Sequence, residues 1–442
     1  MPSLLRIFFS PSLLGLLGLF GLLGLLFPNH NLKATPVIQH WQTSSGSRVY
    51  FVPTEALPIL DVQIDFPAGT AYDPPGKAGV AGLVSSLLDA GTSKLSEEQI
   101  AERWVDLGAR YSAHTDNDRA KVSLRTLLSH QDDALELLQQ LLNQASFPEK
   151  VIKREKARSI VAIREANTRP DVIADKKFAE TIYPQHPYGV SASEKSVGSI
   201  NRYDLLNFKK LHYTGNNATV SMVGAIKRKQ AEQIAEMLTA QLPLNEKVAN
   251  LPKVNLPVGQ TINIPHPASQ SHIRIGLPAV RRGDTDYFPL LVGNYTLGGG
   301  GFVSRLMQEV REKKGYAYSV YSYFYPQQRL GAFEIGLQTK REQAEAALQL
   351  SNSVLHQFLR DGPSEIELEA AKKNLTNSLA LRIDSNAKLL RYVAMIAFYR
   401  LPLTYLDDFA QNVNTVTRQQ VQEAFTRHIN PANLVTLVVA PQ

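Results

Sequence analysis

Two side chains near residue 315 have the types and spacing that suit chemistry on a carbonyl group. In REKKGYAY, Arg311 and Tyr318 stand seven residues apart. A guanidinium and a phenol both donate hydrogen bonds. Aimed at a carbonyl group, with water largely excluded, such donors can stabilise negative charge on its oxygen. The spacing suits a helix end, a turn at Gly315 and a strand start, which lets both side chains face one cavity. Spacing alone favours a plainer account, a helix-capping arginine and a cross-strand tyrosine. Just upstream, Gly298, Gly299, Gly300 and Gly301 form a run ahead of a helix starting near Phe302. Such a run permits positive φ and close backbone approach, and it reads equally as a cavity wall or a simple turn. It is no phosphate loop, because the Lys-Ser/Thr that would follow is missing.

Other chemistries find little support. The chain has ten histidines, and no two stand at i, i+3 or i, i+4. His272, in SHIRIG, reads as a strand residue facing a cleft, and alone it makes no metal site. Cysteine is absent, which excludes disulfides, thiolate zinc sites and a cysteine nucleophile. No G-x-S-x-G elbow occurs, and the serine pair Ser85–Ser86 is not a triad. Net charge is +7 and pI about 9.3, but the basic residues are scattered, with no block longer than RRG or KRKQ. This pattern describes a mixed solvated surface and no nucleic-acid partner.

The elements that must position these residues follow from periodicity. In GVAGLVSSLLDAGT, Val80, Leu83, Val84, Leu87 and Leu88 recur at helical spacing, predicting a helix over 79–90. Further helices are expected at 97–107, 131–145, 149–166 and 203–211, with counterparts at 287–297, 301–313, 341–360, 364–381 and 417–427. Strands are expected at VQIDFPAG and KVSLRTLL, and at SHIRIGLPA and GAFEIGLQT. TGNNATVSMVGAI (214–226) resembles INPANLVTLVVAP (429–441), and 134–157 resembles 347–371. Repeats about 215 residues apart indicate a duplicated domain rather than a solenoid. The fold expected is therefore α+β, with two homologous domains at 37–243 and 259–442 joined by a proline-containing linker at 244–258. Each domain is expected to be a largely antiparallel sheet with helices packed on one face. At the N-terminus, Arg6 precedes an uncharged apolar run from Ile7 to Phe27. Residues 1–36 thus read as an export signal or a retained membrane anchor, placing the rest outside the cytoplasm, soluble in the periplasm or tethered to the inner membrane.

FPAGTAYDPPGKAGVAGL, YPQHPYG and LGGGGFVSRLMQEVREKKGYAYSVYSYF together resemble the pitrilysin/insulinase family of zinc metallopeptidases, the inverzincins, from about residue 38 onward. The likeness is nearest to the two-domain branch that includes mitochondrial processing peptidase and its bacterial relatives. Active members carry H-x-x-E-H on the first helix and a further glutamate on a later one. Two histidines at i and i+4 share a helix face and reach one zinc, and the glutamate serves as general base on the zinc-bound water. Here the resemblance places Gly82 and Ser86 at the histidines, Ser85 at the base and Ala162 at the distal ligand, while Glu155 remains. It implies no metal held by this chain, and it gives Arg311 and Tyr318 the role of a retained substrate-side pair. The function it implies is a non-catalytic subunit of an exported heterodimeric zinc peptidase, inactive alone. A homologous H-x-x-E-H partner would bring the zinc, and an extended peptide would be the substrate. A structural scaffold or a stand-alone peptide-binding protein is the alternative.

Overall fold

The computed structural model describes residues 36–245 and 250–440. Residues 1–35, with the expected export or anchor segment, and 246–249, in the expected linker, lie outside them. No helix among the described residues is long and apolar enough to cross a membrane.

The first sheet is built from β1 (Gln39–Gln42), β2 (Arg48–Pro53), β3 (Ile59–Phe66), β4 (Arg110–Thr115), β5 (Ala120–Leu127) and β6 (Thr219–Gly224), in the order β1-β2-β6-β3-β5-β4. The second comprises β7 (Gln260–Pro265), β8 (Gln270–Val280), β9 (Ala317–Phe324), β10 (Gly331–Lys340) and β11 (Val435–Ala440), in the order β7-β11-β8-β10-β9. Without β1 the two orders are the same. Each sheet is antiparallel except for one parallel pair, β2 with β6 and β7 with β11. The repeated segments 214–226 and 429–441 contain β6 and β11, which hold equivalent places. The expected α+β fold with two repeated sheets holds, with mixed rather than purely antiparallel pairing.

Period-2 alternation divides each sheet into an apolar and a polar face. On β3, Leu60, Val62, Ile64 and Phe66 enter the first core, while Asp61, Gln63 and Asp65 point the other way and are also buried. That second face is covered by a helix from the opposite half. Helix Asn386–Phe398, late in the chain, packs on β2, β3 and β6. Reciprocally, helix Pro170–Ile182 packs on β8 and β11, where Ala174, Phe178 and Ile182 share a core with Val435, Leu437 and Val439. Neither crossing helix was expected from the sequence. Helix Asn386–Phe398 buries Leu389, Leu390, Val393, Ala394, Ile396 and Ala397 along one broad stripe, and Lys388, Arg391 and Tyr392 lie on the opposite face.

Polar groups fix both crossings. Arg48 donates to the Ala397 carbonyl at 3.2 Å, and Arg119 pairs with Asp65 at 3.1 Å. In the second half Arg274 bridges Asp175 at 2.8 Å and Glu334 at 3.1 Å. At the centre lies Asp118, 1% exposed, in the β4–β5 hairpin. Its carboxylate accepts from the Tyr188 hydroxyl, from the Tyr399 hydroxyl at 2.8 Å and from the Gln328 backbone N–H at 2.9 Å. Four separate segments of chain thus meet on one side chain.

Asp118→Ala leaves two hydroxyls and one N–H buried without an acceptor. Each such group costs about 1–3 kcal/mol, so the urea midpoint should drop by the equivalent of roughly 3 kcal/mol or more at unchanged m; a midpoint within error of wild type would remove Asp118 from this role. Asp65 gives a pH test. Burial pushes its carboxyl up from 3.8 to about 6, against the opposing pull of Arg119 and Gln63. The folded chain therefore binds a proton more tightly than the unfolded chain, and this contribution is present at low pH and lost as pH rises through about 6. Relative to Asp65→Asn, wild type should gain up to about 3 kcal/mol in urea unfolding between pH 7 and pH 4.

Candidate functional site

Arg311 and Tyr318 come together in the second half. The Arg311 guanidinium lies 5.0 Å from the Tyr318 ring centroid and 4.7 Å from that of Phe302, stacked against both rings. Tyr318 is 83% exposed and Phe302 60%, so the cation and the phenol are open to an incoming group. The remaining contact of Arg311 is a long ion pair of 3.5 Å with Glu312, which leaves most of its donors free.

This arrangement depends on three local departures from regular structure. The first is the winding of Met307–Lys313, which has π-helical pitch rather than α-helical. It ends in a glycine cap at Gly315, φ +63°, where the N–H of Gly315 bonds to Arg311 and that of Tyr316 to Val310. Each bond is one residue wider than in the cap of an α-helix. The second is a bulge in β9, where Ser319 faces Gln338 and Ala317 faces Thr339, leaving Tyr318 as the unpaired residue. Val320 and Ser322 point into the core, and strict alternation would bury residue 318 with them. The bulge gives that place to Ala317 and turns Tyr318 outward, toward Arg311.

The third is the glycine run. A second π-wound turn, Tyr295–Gly299, passes so close to β9 that a Cβ on Gly298 would lie 2.4 Å from the Ser322 nitrogen. Asn294 clamps the approach: its amide donates to the Ser322 carbonyl at 2.9 Å and its carbonyl accepts from the Ser322 hydroxyl at 2.7 Å. Gly299 and Gly300 likewise lie against Asn294 and Tyr295. Positive φ, expected for the run, is confined within it to Gly301 at +63°. The expected helix over 301–313 is replaced by a short 3-10 turn, Gly301–Val303, and the π-wound segment. Phe302 was missed as a site residue; the signal was an aromatic directly after the glycines.

The first half holds the other positions. The expected helix over 79–90 is shorter, Val80–Ser86, and Asp73 caps it by accepting from the N–H groups of Gly79 and Ala81 at 2.7 Å each. Burial raises the Asp73 carboxyl to about 6. Gly82 is half-buried with open space where a Cβ would stand, and Ser86 is exposed and bonds back to the Leu83 carbonyl at 3.2 Å. Ser85 is buried and 3.2 Å from the Tyr213 hydroxyl, inside the helix layer rather than at a surface. Ala162 is exposed on helix Glu149–Ala166, and Glu155 on the same helix is paired with Arg154 and Arg158. His272 is buried rather than open to a cleft: burial first, then Arg274, lowers its pKa, and Asp171 and Asp175 on crossing helix Pro170–Ile182 act on it electrostatically. In the one group of metal-capable side chains among the described residues, Asp284, Asp286 and His428, Asp286 is engaged by an ion pair with Arg427 and a hydrogen bond with His428, each 2.9 Å.

Residues 53–194 match the family described as Insulinase (Peptidase family M16), and residues 199–375 match Peptidase M16 inactive domain. The chain is similar to the crystal structure of a peptidase M16 inactive domain from Pseudomonas fluorescens at 33% identity and TM-score 0.88, over 92% of this chain and 98% of that one. It is 25% identical over 358 residues to the uncharacterized zinc protease YmxG of Bacillus subtilis, covering 80% of this chain and 87% of that protein. It is also 22% identical over 399 residues to the non-peptidase homolog YmxG of Helicobacter pylori, covering 89% and 91%.

The close approach at Gly298 and the open position at Gly301 make a paired test. Gly298→Ala must push β9 away and should cost about 1–3 kcal/mol, whereas Gly301→Ala carries only the positive-φ penalty of roughly 1–2 kcal/mol. Thermal unfolding should place Gly298→Ala clearly below Gly301→Ala; the reverse order would refute the clamp.

Proposed function

The chain belongs to the M16 insulinase peptidase family, and within it we propose that it serves as the metal-free subunit of an exported two-chain zinc peptidase. One observation carries this reading. The Arg311–Tyr318 pair is assembled and exposed, while Gly82, Ser85, Ser86 and Ala162 supply neither a zinc ligand nor a base. Conserving one half of a site and losing the other suits a protein whose partner brings what is missing. The partner is a homologue with H-x-x-E-H, which supplies zinc, its ligands and the general base.

The substrate is an extended peptide. β4 and β9 are edge strands of their sheets, and each offers unpaired main-chain groups to a further strand. Tyr318 stands on β9 itself, so a peptide on that edge has its backbone beside the phenol and the guanidinium. These two donate to the carbonyl oxygen as negative charge grows on it, and the flanking rings of Phe302 and Tyr318 hold the guanidinium in place. Zinc held by the partner's H-x-x-E-H residues would supply the Lewis acid and the activated water. The name of the Helicobacter pylori relative, a non-peptidase homolog, supports absence of activity in this chain alone. Arg6 and the apolar run after it support export.

Affinity purification from the native source should recover a partner of similar size carrying H-x-x-E-H; a homodimer, or membrane-complex subunits only, would favour a scaffold. In the reconstituted pair Arg311→Ala or Tyr318→Phe should lower kcat by roughly 10²-fold, as for loss of an oxyanion donor, and unchanged turnover would exclude that role. The chain purified alone should hold zinc far below one ion per molecule by plasma mass spectrometry. Stoichiometric zinc would overturn the metal-free reading.

A further inference from the structure

A cavity of about 470 Å³ lies in the second half, away from Arg311 and Tyr318. Its apolar wall comes from Tyr287, Leu291, Tyr392, Met395, Tyr405 and Phe409. Its charged lining is Arg382, Lys388 and Arg391, with no carboxylate among the lining residues. Lys388 is engaged, bonding to Asp384 at 2.8 Å and to the Leu381 carbonyl at 2.9 Å. Arg382 and Arg391 form no ion pair and no hydrogen bond with any of the described residues. Two guanidinium groups without a protein partner beside one aromatic wall can together receive a carboxylate through their forked donors.

The rest of the wall limits the ligand. Apart from the phenol hydroxyls, this wall is ring and aliphatic surface, which suits an apolar ligand body. Tyr405 also packs on Phe288 and Phe409, with ring centroids at 6.0 and 6.4 Å, which holds the wall rigid. The ligand's body must therefore be apolar and its anionic end must meet a guanidinium fork. Met395 lines this cavity and also a second one of about 520 Å³, which contains Tyr399, Phe324, Tyr325 and Arg282.

We propose that this cavity binds an apolar chain ending in a carboxylate, with Arg382 and Arg391 on the carboxylate and the Tyr287–Tyr405–Phe409 wall on the chain. The carboxylate is that of a peptide C-terminus or of a fatty acid, two sources of one chemistry. The proposal stands apart from the two-subunit reading, because it concerns binding by this chain alone.

The test is isothermal titration of the full chain, without a partner, with three probes: acetyl-Gly-Phe-Leu as the free acid, the same peptide as its C-terminal amide, and dodecanoate. The free acid should bind, the amide at least about tenfold more weakly, and Arg382→Ala/Arg391→Ala should weaken the free acid by about tenfold or more. Both arginines are exposed, so the variant should fold, and an unchanged circular dichroism melt verifies it. Dodecanoate binding with the same dependence on the two arginines supports the site and assigns its source to fatty acids. Equal binding of acid and amide overturns the proposal. So does binding that ignores the double substitution, or no binding by any probe.

Discussion

The Asp118 carboxylate holds the two halves of this protein in one arrangement. It stands in a hairpin of the first sheet, yet it receives hydrogen bonds from Tyr188, from Tyr399 at the end of the second crossing helix, and from the β9–β10 turn at Gln328. A buried carboxylate without partners is strongly unfavourable, and one with three donors is well solvated by protein. The four segments must therefore be present together or the charge is stranded. The crossing helices follow from the same requirement. Each lies on the other half's sheet, where apolar contacts are joined by the pairing of Asp65 with Arg119 and of Arg274 with Asp175 and Glu334.

The site in the second half rests on a different principle, local geometry that is over-determined by its surroundings. Two π-wound turns, a glycine cap and a bulge are each less favourable than regular structure. They persist because the Asn294–Ser322 clamp leaves only glycine at 298 and because Ala317 fills the inward place beside Val320. The product is a guanidinium between two aromatic rings, held without a strong carboxylate partner.

The contrast with the first half bears on function. Helix Val80–Ser86 is capped by Asp73 and packed in the first core with Gly82, Ser85 and Ser86 in it. Ser85 has become part of the interior through Tyr213, and Gly82 faces open space.

Much of the fold was legible in the residues themselves. Alternation in β3, β5, β8 and β10, helical spacing in the long surface helices, and the repeat that contains β6 and β11 are local patterns, and local patterns are written in sequence order. The Arg311–Tyr318 pair was legible too, because seven residues across a helix end, a glycine and a strand start form one short piece of chain. Other features belong to the tertiary structure alone. The crossing helices each carry an apolar stripe, but that stripe meets a sheet of the opposite half, a partner that no local pattern names. The outward turn of Tyr318 reverses the parity that Val320 and Ser322 announce, and only the pairing of β9 with β10 can insert the extra residue. Ser85 met Tyr213, and Asp118 met Tyr399, across 128 and 281 residues of sequence. Contacts that distant carry no period or spacing, so the sequence determined the elements and the chemistry on offer, and packing between the halves decided which side chains face one another.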